Sequence, residues 1–369
     1  MDFNIELTDP RDFPSTVHRR VYAFAKGITP LEHSLAVVTD CNMRESCTDY
    51  HNFIMDTLSD MYDNAETYYL PVGQLENFLC GRRLNGMKQK FPSKTKAMLS
   101  QERNTTHGYI FLFYMLGKMG IMNGNSLIIS DEDMDIISKN VNAPTSPISL
   151  EKRLKALARM GFLRTDGGFV STRYPNMFPA MCALANRAAK SSGFDFFLFS
   201  ICEFRNIYKK YRPSWEDYFR PLAASQRETA YCLHDFVVKN KMKPIISTYW
   251  KIDYKYKGTQ VMCIGSEGDR ERLLDVRIVG AYNWENHTLV NNWLAKESPE
   301  FQKLVLRHIW RCDACSTLHL GMHIKVLGKR QRVCGGGQIG FRWRNPATDD
   351  LEAIRKLIQL RCDFIDNLL

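Results

Sequence analysis

Cysteines at 312, 315 and 334 are the residues whose spacing points most directly to chemistry. Cys312-Asp-Ala-Cys315 is a C-x-x-C knuckle, and a third cysteine follows 19 residues later. Thiolates so spaced suit tetrahedral zinc. His319 is the first choice for a fourth ligand, with His323, His308 and Cys362 as alternatives. A redox-active pair and plain reduced thiols also remain open. The run FQKLVLRHIW puts Cys312 near a helix C-terminus, where the dipole disfavours a thiolate. Arg307 and Arg311 act the other way.

Two further constellations suit binding. Lys152, Arg153, Lys155 and Arg159 surround one short amphipathic helix, with Arg164 and Arg173 on the segment after it. Cations around a helix of that size suit phosphates flanking a DNA major groove. An ordinary solvated helix face is the plainer reading. Trp250, Tyr254, Tyr256 and Trp284, with Glu285, could line a pocket for a small aromatic or cationic ligand. Packing within a sheet is the alternative. Gly335 to Gly340 matches G-x-G-x-x-G in form only. FRWRN follows instead of a helix, and Leu360 stands where an acid is needed. The chain has no G-x-S-x-G, H-E-x-x-H, Walker or EF-hand motif.

The elements around these residues follow from periodicity and caps. Met55, Leu58, Met61 and Tyr62 have helical spacing. A helix is predicted over about 106–119, then a short strand at 126–129. Ser130 caps an acidic helix, DEDMDIISKN, with Asp131, Glu132 and Asp133 in its first turn. Ser149 caps the next helix. Its apolar stripe is Leu150, Leu154, Leu157 and Met160, with the four cations largely off it. FLRT and FVSTRY flank Gly167-Gly168 as a hairpin.

This order, with the phrase RLKALARMGFLRTDGGFVST, resembles a winged helix-turn-helix over about 70 residues. The resemblance implies a recognition helix at 149–160, double-stranded DNA as partner and a wing flanked by Arg164 and Arg173. Winged helices also bind proteins, and Asp131, Glu132, Asp133 and Asp135 would repel a duplex if they faced it.

Further on, Phe197, Ile201, Phe204 and Tyr208 form an aromatic stripe, and a long helix is predicted over about 215–240. PIISTYWKIDYKY, QVMCIG and LLDVRIVGAY are β-rich. Helices at 287–296 and 298–311, a basic β region HIKVLGKRQRVC, the strand FRWR and a closing helix at 348–368 complete the chain. KNKMKPIIS and YKYKGTQVMCIG are similar to YdhG-like and GyrI-like α+β domains. That implies a small-ligand-sensing domain.

Composition agrees with a folded, polyanion-friendly protein. The 369 residues carry a net charge of +10. Residues 1–150 have 14 basic and 18 acidic side chains, and 151–369 have 36 and 22. Hydrophobic residues at 44% exclude a disordered chain. The N-terminus lacks a basic region before an apolar core. The longest apolar run, Gly108 to Gly117, is too short for a bilayer. The expectation is a cytoplasmic protein of α+β class, with a mainly helical N-terminal half containing a winged helix and a C-terminal antiparallel sheet with helices. The expected regions are 1–104, 105–190 and 191–369. The expected function is DNA binding or regulation, as a possible homodimer. An enzyme in the C-terminal half and a protein-binding adaptor are the alternatives.

Overall fold

Side-chain caps start several helices of the computed structural model. It describes residues 1–7, 12–69, 106, 108–141, 148–188, 201–209, 211–247, 251–266, 274–279, 286–309, 322–333 and 340–367. The Ser15 hydroxyl accepts from Val17 N and starts α1 (Thr16–Gly27). After the short α2 (Leu31–Leu35), the Asp40 carboxylate accepts from Met43 N at 2.7 Å and starts α3 (Cys41–Asp63). Cys47, Tyr50, Ile54, Leu58 and Met61 recur every three or four residues and are buried. Phe53 lies 5.0 Å from Phe113, 5.8 Å from Phe162 and 5.7 Å from Tyr174, ring centre to ring centre. Residues 1–69 and the segment 106–188 therefore share one core.

Within that segment, helix α4 covers 108–119. Strands β1 (Ile121–Asn123) and β2 (Ser126–Ile128) form a hairpin. Then come α5 (Asp131–Val141), α6 (Leu150–Leu157) with a 3-10 turn to Met160, and the hairpin β3 (Phe162–Thr165) and β4 (Gly168–Ser171). The sheet order is β1-β2-β4-β3, with Leu127 opposite Phe169. Gly168 has φ +146, and a Cβ there would lie 2.1 Å from the Leu127 carbonyl oxygen. Only glycine lets these two strands approach. Helix α7 (Met177–Arg187) packs on α3.

Residues 201–209 form turns and a 3-10 turn at Phe204–Asn206, where helical spacing of the aromatic stripe predicts a helix over about 174–213. Ile201 and Phe204 are buried while Tyr208 is exposed, so they form no single stripe. Phe197 lies outside the described residues.

The chain divides near residue 212 into two compact units. In the second, Pro221 interrupts the expected long helix, because proline lacks the N–H an interior turn needs. The result is α8 (Trp215–Phe219) and α9 (Ala224–Lys239). Strands β5 (Lys243–Ser247), β6 (Lys251–Tyr256), β7 (Thr259–Ser266) and β8 (Leu274–Ile278) follow. Next are α10 (Asn286–Leu294), α11 (Pro299–His308), β9 (Met322–Val326), β10 (Lys329–Val333), β11 (Phe341–Arg344) and α12 (Leu351–Asn367). The five-stranded antiparallel sheet runs β11-β8-β7-β6-β5, and β9 and β10 pair separately. Ile246, Ile252, Ile264, Val276 and Trp343 align across one face. Ile245, Asp253, Cys263, Arg277 and Arg342 align across the other. The protein is α+β, with helices dominating the first unit and antiparallel strands prominent in the second. Among the described residues, no helix is long and apolar enough to cross a membrane.

Candidate nucleic-acid interface

Helix α6 starts where the Ser149 hydroxyl accepts from Lys152 N at 3.3 Å. It buries Leu150, Ala156 and Leu157, and Met160 closes the turn behind them. Lys152, Lys155 and Arg159 are exposed. Lys152 Nζ stands 5.1 Å from the centre of the Tyr69 ring. On the hairpin, Phe162 and Phe169 stack at 5.1 Å with an 18° interplanar angle. That anchors β3 and leaves Arg164 exposed beside Leu163. Lys152, Lys155 and Arg164 thus offer cations to solvent from a helix and a hairpin of one unit.

Arg153 does not join them. It is fully buried, with its guanidinium carbon 4.8 Å from the centre of the Tyr109 ring on α4. Gly108 makes the room: a Cβ there would lie 2.6 Å from Arg153 Nη2. Desolvation lowers the Arg153 pKa to about 10, and Tyr109 opposes that shift. The buried face of α6 therefore includes Arg153, and Leu154 is only half-buried. The outward placement expected from the apolar stripe is corrected here.

Arg159 and Arg173 are engaged by α3. Arg159 forms a forked pair with Asp60, at 2.9 and 3.1 Å. Arg173 Nη2 lies 3.4 Å from Asp56, which also accepts a short hydrogen bond from the Tyr174 hydroxyl. Further up α3, Asp49 accepts from Asn176 N at 2.9 Å and Glu45 from Asn176 Nδ2 at 3.0 Å. Glu45, Asp49, Asp56 and Asp60 form one acidic edge that holds residues 159–176. Burial works to raise the Asp60 pKa. Hydrogen bonds from Arg159, Tyr68 and Asn64 outweigh it and hold the carboxyl below its ordinary value. Of the six expected DNA-facing cations, one is buried and two are paired inside the unit.

The expected ligand pocket is only partly in view. Trp250, Trp284 and Glu285 lie outside the described residues. Tyr254 is buried and shares a 2.8 Å hydrogen bond with His234 Nδ1. His234 stacks on Trp215, with ring centres 4.2 Å apart. Burial pushes the Tyr254 hydroxyl up and the His234 imidazole down. Tyr256 instead donates to Asp366 at 3.1 Å. The two tyrosines thus go to different partners, and the Tyr254–His234–Trp215 contacts are those of a packed core.

Sequence reasoning missed a charged cluster on the opposite face of that sheet. Arg342 forks onto Asp275 at 2.7 and 2.9 Å, and Arg277, directly across the strands from Arg342, binds the same carboxylate. Asp275 and Arg342 are both buried. The alternation of LDVRI with FRWR carried that signal, but no local rule pairs strands 65 residues apart.

Cys312, Cys315, His319 and Cys334 lie outside the described residues, as does the 335–339 glycine run. Three alternative zinc ligands can be placed. His323 is half-buried on β9, opposite Arg332. His308 stacks on Trp343 and donates from Nδ1 to the Arg342 carbonyl at 3.2 Å. Cys362 is buried in α12, where desolvation raises its pKa to about 12. His308 and Cys362 are committed to packing. Among the described residues, no group of histidine, cysteine or carboxylate side chains is arranged to hold a metal. Comparison with protein-family models, curated proteins and solved structures finds no match.

Proposed function

We propose that the protein is a DNA-binding regulator whose segment 106–188 acts as a winged helix. One observation carries this reading: β2, β4 and β3 are adjacent in that order, α6 packs on β3, and Lys152, Lys155 and Arg164 are exposed on the helix and hairpin that would meet a duplex. Lys152 and Lys155 contact phosphates on either side of the groove, and Arg164 contacts them from the hairpin. In the same reading Cys312, Cys315, Cys334 and His319 hold a structural zinc. The second unit senses a small ligand.

A second reading, as a protein-binding adaptor, draws on the engagement of Arg153, Arg159 and Arg173 within the unit and on the exposed Asp131 and Glu132 of α5. Salt-dependent binding of duplex DNA decides between them. Replacing Lys152 and Lys155 with Ala weakens binding and flattens its salt dependence if DNA is the partner. An unchanged slope sinks the DNA reading.

A further inference from the structure

Strand β5 carries an exposed isoleucine on each face and lysines at one end. It is the last strand on its side of the five-stranded sheet, and among the described residues nothing pairs with its outer edge. Ile245 and Ile246 point to opposite faces, and both are exposed. A sheet edge of this kind is a template for another strand. Backbone groups alternate in direction along a strand, so one of these two residues turns its N–H and C=O to the open edge. Pro244 donates no hydrogen bond and is tolerated on an edge. The turn from α9 into β5 carries Lys239, Lys241 and Lys243, and residues 237–247 hold no carboxylate. All three lysines are exposed, and among the described residues none enters an ion pair. Lys241 has φ +62, a backbone that favours glycine, and its N–H donates to the Val238 carbonyl at 2.9 Å. Lys243 stands directly opposite Lys255, so its cross-strand neighbour does not neutralise it. Asp253, opposite Ile245, is held by Lys251 at 2.9 Å and by Gln260 at 2.7 Å.

Charge decides what can pair there. A second copy aligned on β5 would leave the lysines of both edges without a carboxylate, since residues 237–247 hold none. A strand that brings carboxylates neutralises them. Every pairing in this sheet is antiparallel, and an incoming strand in that sense sets its residues about 5 Å from those of β5. Apolar residues opposite Ile246 and Ile245 cover both, and carboxylates further along meet Lys243, Lys241 and Lys239. We infer that β5 is a docking edge for an acidic β-strand of a partner protein, with apolar β-formers first in that strand and carboxylates after them. The surface belongs to the second unit and does not depend on the DNA reading of the first.

The test uses the full chain and the fluorescein-labelled peptide TVITEDEDE, with binding read by anisotropy. One variant is Lys239→Gln/Lys241→Gln/Lys243→Gln. The other is Ile245→Thr/Ile246→Thr, which keeps the β-branch at two exposed positions and so keeps the strand. The wild type is expected to bind the peptide. The lysine variant should bind about threefold or more weakly, with less response to added salt. The isoleucine variant should bind about fivefold or more weakly. A peptide with lysines in place of the acids should not bind. Two further peptides are N-methylated at odd or at even residues, and at least one of them should lose binding, because its ladder bonds cannot form. This arm needs only the wild-type protein. No binding of the acidic peptide by the wild type at about 1 mM overturns the inference. Full binding by both N-methylated peptides overturns it, since no strand is then added. A lysine variant that keeps the peptide and loses random duplex DNA gives these lysines to nucleic acid and also overturns it. Self-association of the wild type that the isoleucine variant abolishes gives the edge to a second copy, with the same result.

Discussion

The Arg153 guanidinium lies 4.8 Å from the centre of the Tyr109 ring, and both side chains are buried. A cation that the helix pattern placed outward is thus part of the seam between α6 and α4. The charge is poorly hydrated there, and the ring face offsets part of that cost.

Gly108→Ala should destabilise the first unit, because its Cβ would lie within 2.6–2.8 Å of the Arg153 guanidinium. Overpacking of this kind costs about 1–3 kcal/mol. Arg153→Met takes the cation away from the Tyr109 ring and from its remaining contact and leaves those groups buried, so its midpoint should fall. Urea unfolding measures both. An Arg153→Met variant as stable as the wild type would contradict this account of the seam.

Some of this first unit is legible in the sequence. Ser130 and Ser149 announce the starts of α5 and α6, and Gly167-Gly168 announces the β3–β4 turn. The burial of Arg153 was not legible, because position 153 is three residues after Leu150 and four before Leu157. That spacing fits the apolar face as well as position 154 does, and residue type alone favoured leucine. The acidic edge of α3 has helical spacing at 45, 49, 56 and 60, but its partners lie about 100 residues away or more. β1 is three residues long and was missed. Pro221 was readable as a break, yet the aromatic and apolar residues on either side outweighed it in the reading.

Asp275 balances two guanidiniums, and Asp275→Asn removes the only carboxylate that the described contacts give Arg277. Breaking a buried pair from one side costs about 3–5 kcal/mol. Equilibrium unfolding of Asp275→Asn should therefore show a large loss confined to the second unit. A change below about 1 kcal/mol would show that these charges are hydrated.

Three histidines, His51, His234 and His308, have their pKa lowered, in each case first by burial. The unfolded chain then binds more protons than the folded one below the ordinary histidine pKa of about 6.5. Stability from these groups is complete above that value and is lost as pH falls toward the folded pKa. His234→Asn can keep a donor or acceptor near Tyr254 without titrating. Thermal midpoints between about pH 5 and 7.5 should fall on acidification and fall less steeply in His234→Asn. Parallel curves for the two proteins would remove His234 from the account.

Zinc bound by Cys312, Cys315, Cys334 and His319 should appear as about one equivalent of metal in protein purified without a metal-affinity column. Chelation should lower its thermal midpoint. Less than about 0.2 equivalents, with all three thiols fully reactive, would contradict a zinc site.

Whether α6 presents its outer lysines to duplex DNA is read by fluorescence anisotropy at a series of salt concentrations. Wild type is compared with Lys152→Ala/Lys155→Ala on random duplex. The account predicts weaker binding and a salt slope shallower by about 2, close to one for each lysine. Equal affinity and equal slope for the two proteins would contradict it.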